Sequence, residues 1–278
     1  MKGKYILLTV VSAAVLLSCQ KGEKGPAEYT VRAAACAPMT KNQVGAETGG
    51  SFPVLWAQGD VISLNGALSN ALPAAFEGAS EAEFRINAPS LSAPYHLLYP
   101  GEQGVSGKLS FDGKVSPMYA SSDDLGALFI FHQAGCGVLL SVTGDEPISA
   151  IALSAPGGEK IGGRFNVSFT DGSLTPDSAS SSIAIGYDTP LALSGTPVQV
   201  FIPFAPGTFS KGLRLTLSGI SGENMSWNIS SGITMSRGKA YVLPTIAFSS
   251  SSPVEPQETW PKNAILEPLD EIDYEYIP

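Results

Sequence analysis

Apolar and polar residues alternate with a period of two over much of the chain. Successive side chains of a β-strand point to opposite faces, so each such run predicts a strand with one buried and one exposed side. Segments rich in glycine and serine separate the runs and predict turns. The clearest runs are 165–169, 183–187, 198–204, 213–217 and 226–230, and the turn segments are 156–158, 170–173, 221–224 and 236–239. Short strands and turns at this spacing are typical of an all-β protein of the β-sandwich type.

The character of the runs changes near the middle of the chain. Between residues 28 and 124 they are short and interrupted by proline, whereas between 125 and 248 they are longer and more regular. We therefore expect an N-terminal domain at 28–124 and a C-terminal domain at 125–248. The last thirty residues, 249–278, are rich in serine, proline and acidic side chains. This composition predicts a tail that does not order in the isolated protein.

The first residues are organised like an export signal. Lys2 and Lys4 precede an uncharged apolar stretch, which is shorter than the roughly 20 residues that cross a bilayer. The residues that end at Cys19, Leu-Leu-Ser-Cys, resemble the lipobox at which bacterial lipoproteins are cleaved and acylated. The resemblance implies a signal peptide at 1–18, a lipid on Cys19 and a flexible tether at 19–27. An ordinary secreted protein with a chance cysteine at this place is the alternative.

Composition narrows the classes of partner. The chain is 44% hydrophobic and only 15% charged, with a formal net charge of −9. Loss of two lysines with the signal peptide takes this charge to −11. Binding to a phosphate backbone requires a basic surface, so nucleic acid is excluded as a partner.

Few residues are suited to catalysis. His132 and Cys136 are four apart, and a thiol and an imidazole can act together as nucleophile and base. Both lie in apolar sequence, which favours a packed histidine and a buried thiol. With His96 the only other histidine, neither a histidine-rich metal site nor a cofactor is expected, and no nucleophile elbow, phosphate loop or zinc-protease motif occurs. The sequence predicts no enzyme activity, although a carboxylate pair assembled by the fold stays open.

Two cysteines remain once Cys19 carries the lipid. Cys36 and Cys136 could form a disulfide, because an exported protein folds in an oxidising compartment. Such a bridge would also hold the first strand in place. The sequence leaves open whether these two cysteines form a disulfide or remain free thiols.

Several short motifs occur in a characteristic order along the chain. They are WAQGDVI at 56–62, the pair Tyr99-Pro100, the strand LFIFH at 128–132 followed by 135–142, and RGKAYVL at 237–243. In type and order these motifs resemble those of the fimbrillin-like lipoproteins of Bacteroidetes, which are subunits or accessory parts of surface fimbriae (type V pili). The resemblance implies two tandem transthyretin-like Greek-key β-sandwich domains. It also implies a location on the outer membrane or in a fimbria, with other fimbrial subunits as partners.

The resemblance further implies a mode of assembly. In this family a protease cuts after a basic residue and removes the anchor and the first strand, and the vacated groove accepts a strand of another subunit. Here the expected first strand is 28–32 and the expected cleavage site is Arg32, with Lys41 as the alternative. An uncut Arg32 at the end of an edge strand is the other possibility.

The tail has the pattern of a donor strand. Ile272, Tyr274 and Tyr276 alternate with acidic residues and would share one face of a strand. A solvated acidic end that never orders is the alternative.

Two further features concern the surface. Asp177-Ser178-Ala179 resembles the acceptor motif for O-glycans in Bacteroidetes, which makes Ser178 a candidate glycosylation site in a serine-rich turn. The alternative to a fimbrial subunit is a permanently anchored lipoprotein that binds glycans or a host protein through exposed aromatic residues. Trp56 and Trp227 lie in alternating runs and are expected in the core, so Trp260 in the tail is the candidate for exposure.

Overall fold

The computed structural model describes residues 26–35, 55–229 and 232–249, and more than half of these lie in β-strands. The helical segments among them are a single-turn helix, α1 (Gly101–Gly104), and a 3-10 turn at Ala74–Phe76. The strands of the first half are β1 (Ala27–Ala35), β2 (Ser63–Leu64), β3 (Ala67–Leu68), β4 (Glu81–Ala88), β5 (Tyr95–Tyr99), β6 (Lys108–Phe111), β7 (Met118–Ser122) and β8 (Leu128–Gln133). No helix among the described residues has the length and apolarity needed to cross a membrane.

The second half contains twelve described strands. They are β9 (Cys136–Gly144), β10 (Ile148–Ser154), β11 (Gly162–Val167), β12 (Leu174–Ser180), β13 (Ser182–Leu191), β14 (Val198–Phe204), β15 (Gly207–Phe209), β16 (Leu213–Gly219), β17 (Asn224–Ile229), β18 (Ile233–Met235), β19 (Ala240–Val242) and β20 (Ile246–Phe248). The expected all-β fold is confirmed, and the run at 198–204 coincides with β14. The run at 165–169 ends early, because the chain turns at Ser168, whose carbonyl accepts a bond from the N–H of Gly172.

The first half is built around one sheet of seven strands. Their order is β3-β2-β5-β7-β8-β1-β4, with β1 antiparallel to β4 and parallel to β8. One face of this sheet is apolar and encloses its own core. The large side chains of that core are Trp56, Ile62, Leu64, Leu72, Phe84, Ile86, Leu97, Tyr99, Met118, Phe129 and Phe131.

The second half encloses a separate and larger core between two four-stranded assemblies. One has the order β13-β10-β16-β17, and the other has the order β14-β9-β19, with β20 also paired to β9. Alternation along β16 shows how the sequence produces this arrangement: Leu213, Leu215 and Leu217 are buried, whereas Arg214 is exposed. Each strand thus contributes alternate side chains to the core.

Two strands lie across the expected domain boundary at residue 124. The strand β8 follows the boundary but pairs with β1 and β7 of the first sheet. Conversely, β6 precedes the boundary but pairs with β11 in a small sheet of order β12-β11-β6. The division into two domains at this residue stays a prediction, and the strand pairing favours a boundary near Ala134, between β8 and β9.

Candidate functional site

The first strand of the described chain lies inside a sheet and has a partner on each side. Residues 27–34 of β1 pair with β4, and residues 32–35 pair with β8. The interpretation of this segment as an edge strand is therefore wrong. The strand β1 is also longer than expected, since it continues through Ala33–Ala35. Alanine has little preference for strands, and pairing with β8 extends the strand here.

Alternate side chains of β1 fill the core of the first sheet. Val31 and Ala33 are completely buried, whereas Thr30 and Arg32 on the other face are exposed. Tyr29 is half-buried, and its hydroxyl accepts a bond from the N–H of Leu91 at 3.2 Å. The strand is thus held by side chains at i, i+2 and i+4 as well as by backbone pairs.

Trp56 lies directly against β1. Its indole N–H donates a buried hydrogen bond of 3.2 Å to the Ala33 carbonyl. The ring makes edge-to-face contacts with Phe84, Tyr99 and Phe131, at centroid distances of 5.0, 5.6 and 5.6 Å. Because β4 and β8 each supply one of these phenylalanines, the tryptophan connects β1 to both neighbouring strands.

A buried carboxyl group fixes the loop that follows Trp56. Asp60 accepts bonds from the Ala57 N–H at 2.8 Å and from the Tyr99 hydroxyl at 2.9 Å. Desolvation raises the pKa of Asp60, and these two bonds oppose the rise. Burial, with Asp60 nearby, also raises the pKa of Tyr99, so its hydroxyl keeps the donated proton. The roles of Ala57 and Tyr99 were not predicted, although the W-x-x-G-D spacing was the signal that could have indicated them.

Arg32, the expected cleavage site, lies on the outer face of β1. Its guanidinium forms a 3.0 Å ion pair with Glu81, and both side chains are more than half exposed, at 61% and 52%. Arg32 is not the end of the strand, contrary to the expectation, since three residues follow it in β1. The side chain is therefore accessible, but its backbone is part of the sheet.

The pairing register determines what each possible cut would release. A cut after Arg32 would leave Ala33–Ala35 attached to the chain, and these residues form most of the pairing with β8. A cut after Lys41 would remove β1 completely, because the strand ends at Ala35. Lys41 itself lies outside the described residues.

His132 and Cys136 lie in different surroundings. Cys136 is buried, and its thiol donates to the Phe204 carbonyl at 3.6 Å, while burial raises the pKa of the thiol well above its usual value. His132 points to the exposed face of β8, contrary to the expectation of a packed histidine. A neutral buried thiol is a poor nucleophile. The described residues contain no cluster of potential metal ligands.

Ser178 lies on an exposed strand rather than in a turn. It belongs to β12, the outer strand of its sheet, and its side chain is exposed. The neighbouring Asp177 forms a 2.8 Å ion pair with Lys108, which lowers the pKa of that carboxyl. Glycosylation of Ser178 stays a prediction.

Several expected residues fall outside the described part of the chain. They are Cys19, Cys36, Trp260, Ile272, Tyr274 and Tyr276. The lipid anchor, the disulfide to Cys136 and the donor strand therefore stay predictions. Trp56 and Trp227 are 1% and 6% exposed, as expected for core residues, and neither can stack on a glycan.

The chain is similar to known proteins in structure, at low sequence identity. No protein-family model matches the chain, and no curated protein matches it. A solved structure of a protein assigned to cell adhesion from Bacteroides uniformis shares 14% identity, covering 81% of this chain and 93% of that one, with a TM-score of 0.44. A protein with the same assignment from Bacteroides fragilis shares 12% identity. That match covers 80% of this chain and 94% of that one, with a TM-score of 0.46.

A third similar structure is the tip fimbrial protein Mfa3 of Porphyromonas gingivalis. It shares 10% identity, and the match covers 82% of this chain and 96% of that one with a TM-score of 0.36. These three solved structures are of proteins assigned to cell adhesion and of a fimbrial protein.

Proposed function

We propose that the protein is a surface lipoprotein that serves as a fimbrial subunit or accessory adhesin, and that it joins other subunits after its first strand is removed. The observation that carries this proposal is the position of β1. It is the first strand in the described chain, yet it lies between β4 and β8. One cut on its C-terminal side would therefore vacate an interior position of the sheet without dividing any other strand.

Removal of β1 would leave a groove with two unpaired edges. The backbone groups of β4 and β8 that bond to β1 would lose their partners, and unpaired strand edges favour association with another strand. The floor would be apolar, since Trp56, Phe84 and Phe131 lie beneath the strand. A strand from another subunit could then gain backbone bonds along the groove and fill the positions of Val31 and Ala33.

The pairing register supports Lys41 over Arg32 as the productive cleavage site. Release of β1 after a cut at Arg32 would leave the alanines that pair with β8 in the groove. An incoming strand would then have to displace them before it could bond to β8. Cleavage after Lys41 has no such residue to displace, because the whole strand precedes it.

The acidic tail is the segment of this chain that we propose as the donor strand. Ile272, Tyr274 and Tyr276 have the same spacing of two as the inward side chains Tyr29, Val31 and Ala33. Their burial could contribute roughly 1.5–3 kcal/mol each. Ordering the backbone costs about 1–2 kcal/mol per residue, so the tail needs a preformed groove. The proposal therefore predicts a tail that orders only on assembly.

The lipid anchor is tested separately from assembly. In cells, Cys19→Ala should give an uncleaved and unacylated precursor, because acylation requires the cysteine sulfur. Fractionation and mass measurement of the N-terminus would check this. Normal acyl mass and outer-membrane partition of the variant would refute the anchor.

Immunogold electron microscopy of the producing cell tests the fimbrial role. A fimbrial subunit should be labelled along or at the ends of surface filaments, and deletion of the gene should shorten or remove those filaments. Label spread evenly on the membrane, with unchanged filaments in the deletion strain, would instead identify a permanently anchored lipoprotein.

A further inference from the structure

A cleft of about 510 Å³ lies in the second half of the molecule, between two outer strands. Its walls are β13 and β14, and the loop residues Gly113 and Lys114 close one side. Within the described strands, β13 pairs only with β10, and β14 pairs only with β9. The cleft therefore opens between the unpaired edges of two sheets. It uses no residue of β1, β4 or β8 and is separate from the groove proposed for assembly.

One wall of the cleft is shaped by a large bulge in β13. Ile148 of β10 pairs with Leu191, whereas Ala150 pairs with Gly186. Residues 187–190 of β13 therefore stand opposite a single residue, Ser149. A bulge of this kind bends its strand and redirects its side chains, and bulges are frequent beside binding sites. Here it places Tyr187, Asp188 and Thr189 along the cleft.

One aromatic ring lies along the cleft. Tyr187 of the bulge is half-buried, so its ring packs against the core on one side and is accessible on the other, whereas the ring of Phe201 lies across β9, over Gly137. Burial raises the pKa of the Tyr187 phenol, and its hydroxyl therefore remains a hydrogen-bond donor at neutral pH. A ring fixed in this way can bind a ligand with little loss of side-chain entropy.

The rim of the cleft is polar and carries no net charge. Lys114, Asp188, Thr189 and Gln199 line it, and all four residues are exposed. None of these side chains has a hydrogen-bond or ion-pair partner elsewhere in the described chain. One ammonium group balances one carboxylate, while the hydroxyl and the carboxamide add both donors and acceptors.

These features together select the chemistry of the ligand. The volume lies within the range of about 300–1,000 Å³ found for small-molecule sites. A purely apolar ligand would desolvate four polar side chains without satisfying them, which is unfavourable. A polyanion is disfavoured because the cleft is neutral and the whole chain has a net charge of −9. A sugar has a C–H face that can pack on an aromatic ring and an edge of hydroxyl groups that can bond to the rim.

We propose that this cleft binds the end of a neutral oligosaccharide. Tyr187 packs against the C–H face of a sugar ring, while Asp188, Thr189 and Gln199 bond its hydroxyl groups. This function adds recognition of a surface glycan to the proposed role in fimbriae. It holds equally for an assembled subunit and for an anchored lipoprotein.

The test uses the exported chain from residue 20 and an array of neutral oligosaccharides that end in galactose, glucose, mannose, fucose or N-acetylglucosamine. Hits are titrated by calorimetry. Tyr187→Ala should weaken binding by about tenfold or more, whereas Tyr187→Phe should stay within about threefold of the native affinity. Asp188→Asn and Gln199→Ala remove rim contacts without altering the core, and each should weaken binding by about threefold or more. Tyr95→Ala, at a half-buried tyrosine on β5, is the matched control and should leave binding unchanged.

Melting of each variant shows that it is folded before its affinity is compared. Failure of every sugar to bind at about 10 mM would overturn the proposal. Binding that survives both Tyr187→Ala and Gln199→Ala would also overturn it, since the sugar would then lie elsewhere. A tail peptide of residues 266–278 that binds the cleft in place of any sugar would show that the occupant is protein.

Discussion

The indole N–H of Trp56 donates a 3.2 Å hydrogen bond to the carbonyl of Ala33, in the interior of the first sheet. This contact joins the most recognisable motif of the sequence to the strand that the proposed assembly removes. Trp56 also touches the aromatic residues Phe84 and Phe131, which lie on the two strands beside β1. Trp56 therefore helps to hold β1 in place, and its fluorescence should change when β1 is removed.

Replacement of Trp56 by phenylalanine should loosen β1. The variant loses the bond to Ala33 and part of the ring contact, and we expect the free energy of unfolding to fall by about 1–3 kcal/mol. Hydrogen exchange of the β1 amides should accelerate, and urea unfolding gives the global value. Trp227→Phe, in the second core, is the control and should leave exchange in β1 unchanged. Equal protection of β1 in both variants would show that the Trp56 bond does not hold the strand.

The two faces of β1 should respond differently to substitution. Val31→Ala creates a cavity at a completely buried position and should lower the free energy of unfolding by about 1–3 kcal/mol. Thr30→Ala, on the exposed face next to it, should change this free energy by no more than about 0.5 kcal/mol. Thermal and urea unfolding of the two variants measure the difference. Similar small effects at both positions would contradict the observed orientation of the strand.

Processing should depend on Lys41 more than on Arg32. Arg32→Gln removes an exposed ion pair, so the free energy of unfolding should change by less than about 1 kcal/mol. We expect this variant to be processed normally to a mature N-terminus at Asn42, whereas Lys41→Gln should block maturation. Mass spectrometry of the surface form identifies the N-terminus. A native N-terminus at Ala33 that is lost in Arg32→Gln would assign the cut to Arg32.

The two histidines should make the folded state sensitive to mild acid. Desolvation lowers the pKa of His96, against the opposing charge of Asp123, and desolvation with Arg237 lowers the pKa of His132. Each folded-state pKa lies below the unfolded value of about 6.5, so protonation favours the unfolded chain. Stability should therefore be fully present above the unfolded pKa and fall as the pH drops through it.

Unfolding free energies between pH 7 and 5 test this prediction. The variant His96→Gln/His132→Gln should lose less stability over this interval than the native protein. The His96 ring stacks on Phe169 with a centroid distance of 4.0 Å, and its Nδ1 lies 3.0 Å from the Ser121 hydroxyl oxygen. Because replacement of His96 also removes these contacts, each single variant is measured as well. Thr30→Ala should keep the native pH profile. Parallel profiles for the native protein and the double variant would exclude a contribution from the histidines.

Alternation in the sequence was sufficient to predict five of the twelve described strands of the second half, namely β11, β13, β14, β16 and β17. The run 213–217 alternates because Leu213, Leu215 and Leu217 of β16 enter the core, whereas Arg214 between them is exposed. Patterns could not reveal that β1 lies inside a sheet, since its contact with Phe129 joins residues almost a hundred positions apart. Which strands become neighbours is decided by such distant pairs.

The cleft was missed for a related reason. The bulge at 187–190 arises because four residues of β13 stand opposite one residue of β10. An alternating run in the sequence does not show where such a shift in pairing occurs. Pro190 was the available signal, because proline within a strand marks an outer strand or a bulge. Tyr187, the last apolar position of the run 183–187, packs against the core on one side and lines the cleft on the other.

The most direct test of the account is the titration of a β1 peptide, residues 27–35, into a protein that begins at Asn42. Emission from Trp56 should shift to shorter wavelength as the peptide fills the groove, with one peptide bound per chain, and the melting temperature should rise towards that of a protein beginning at Pro26. A Val31→Asp peptide should bind at least about tenfold more weakly, because it places a charge in an apolar groove. If the chain from Asn42 melts like the chain from Pro26 and does not bind the peptide, removal of β1 does not create the acceptor groove.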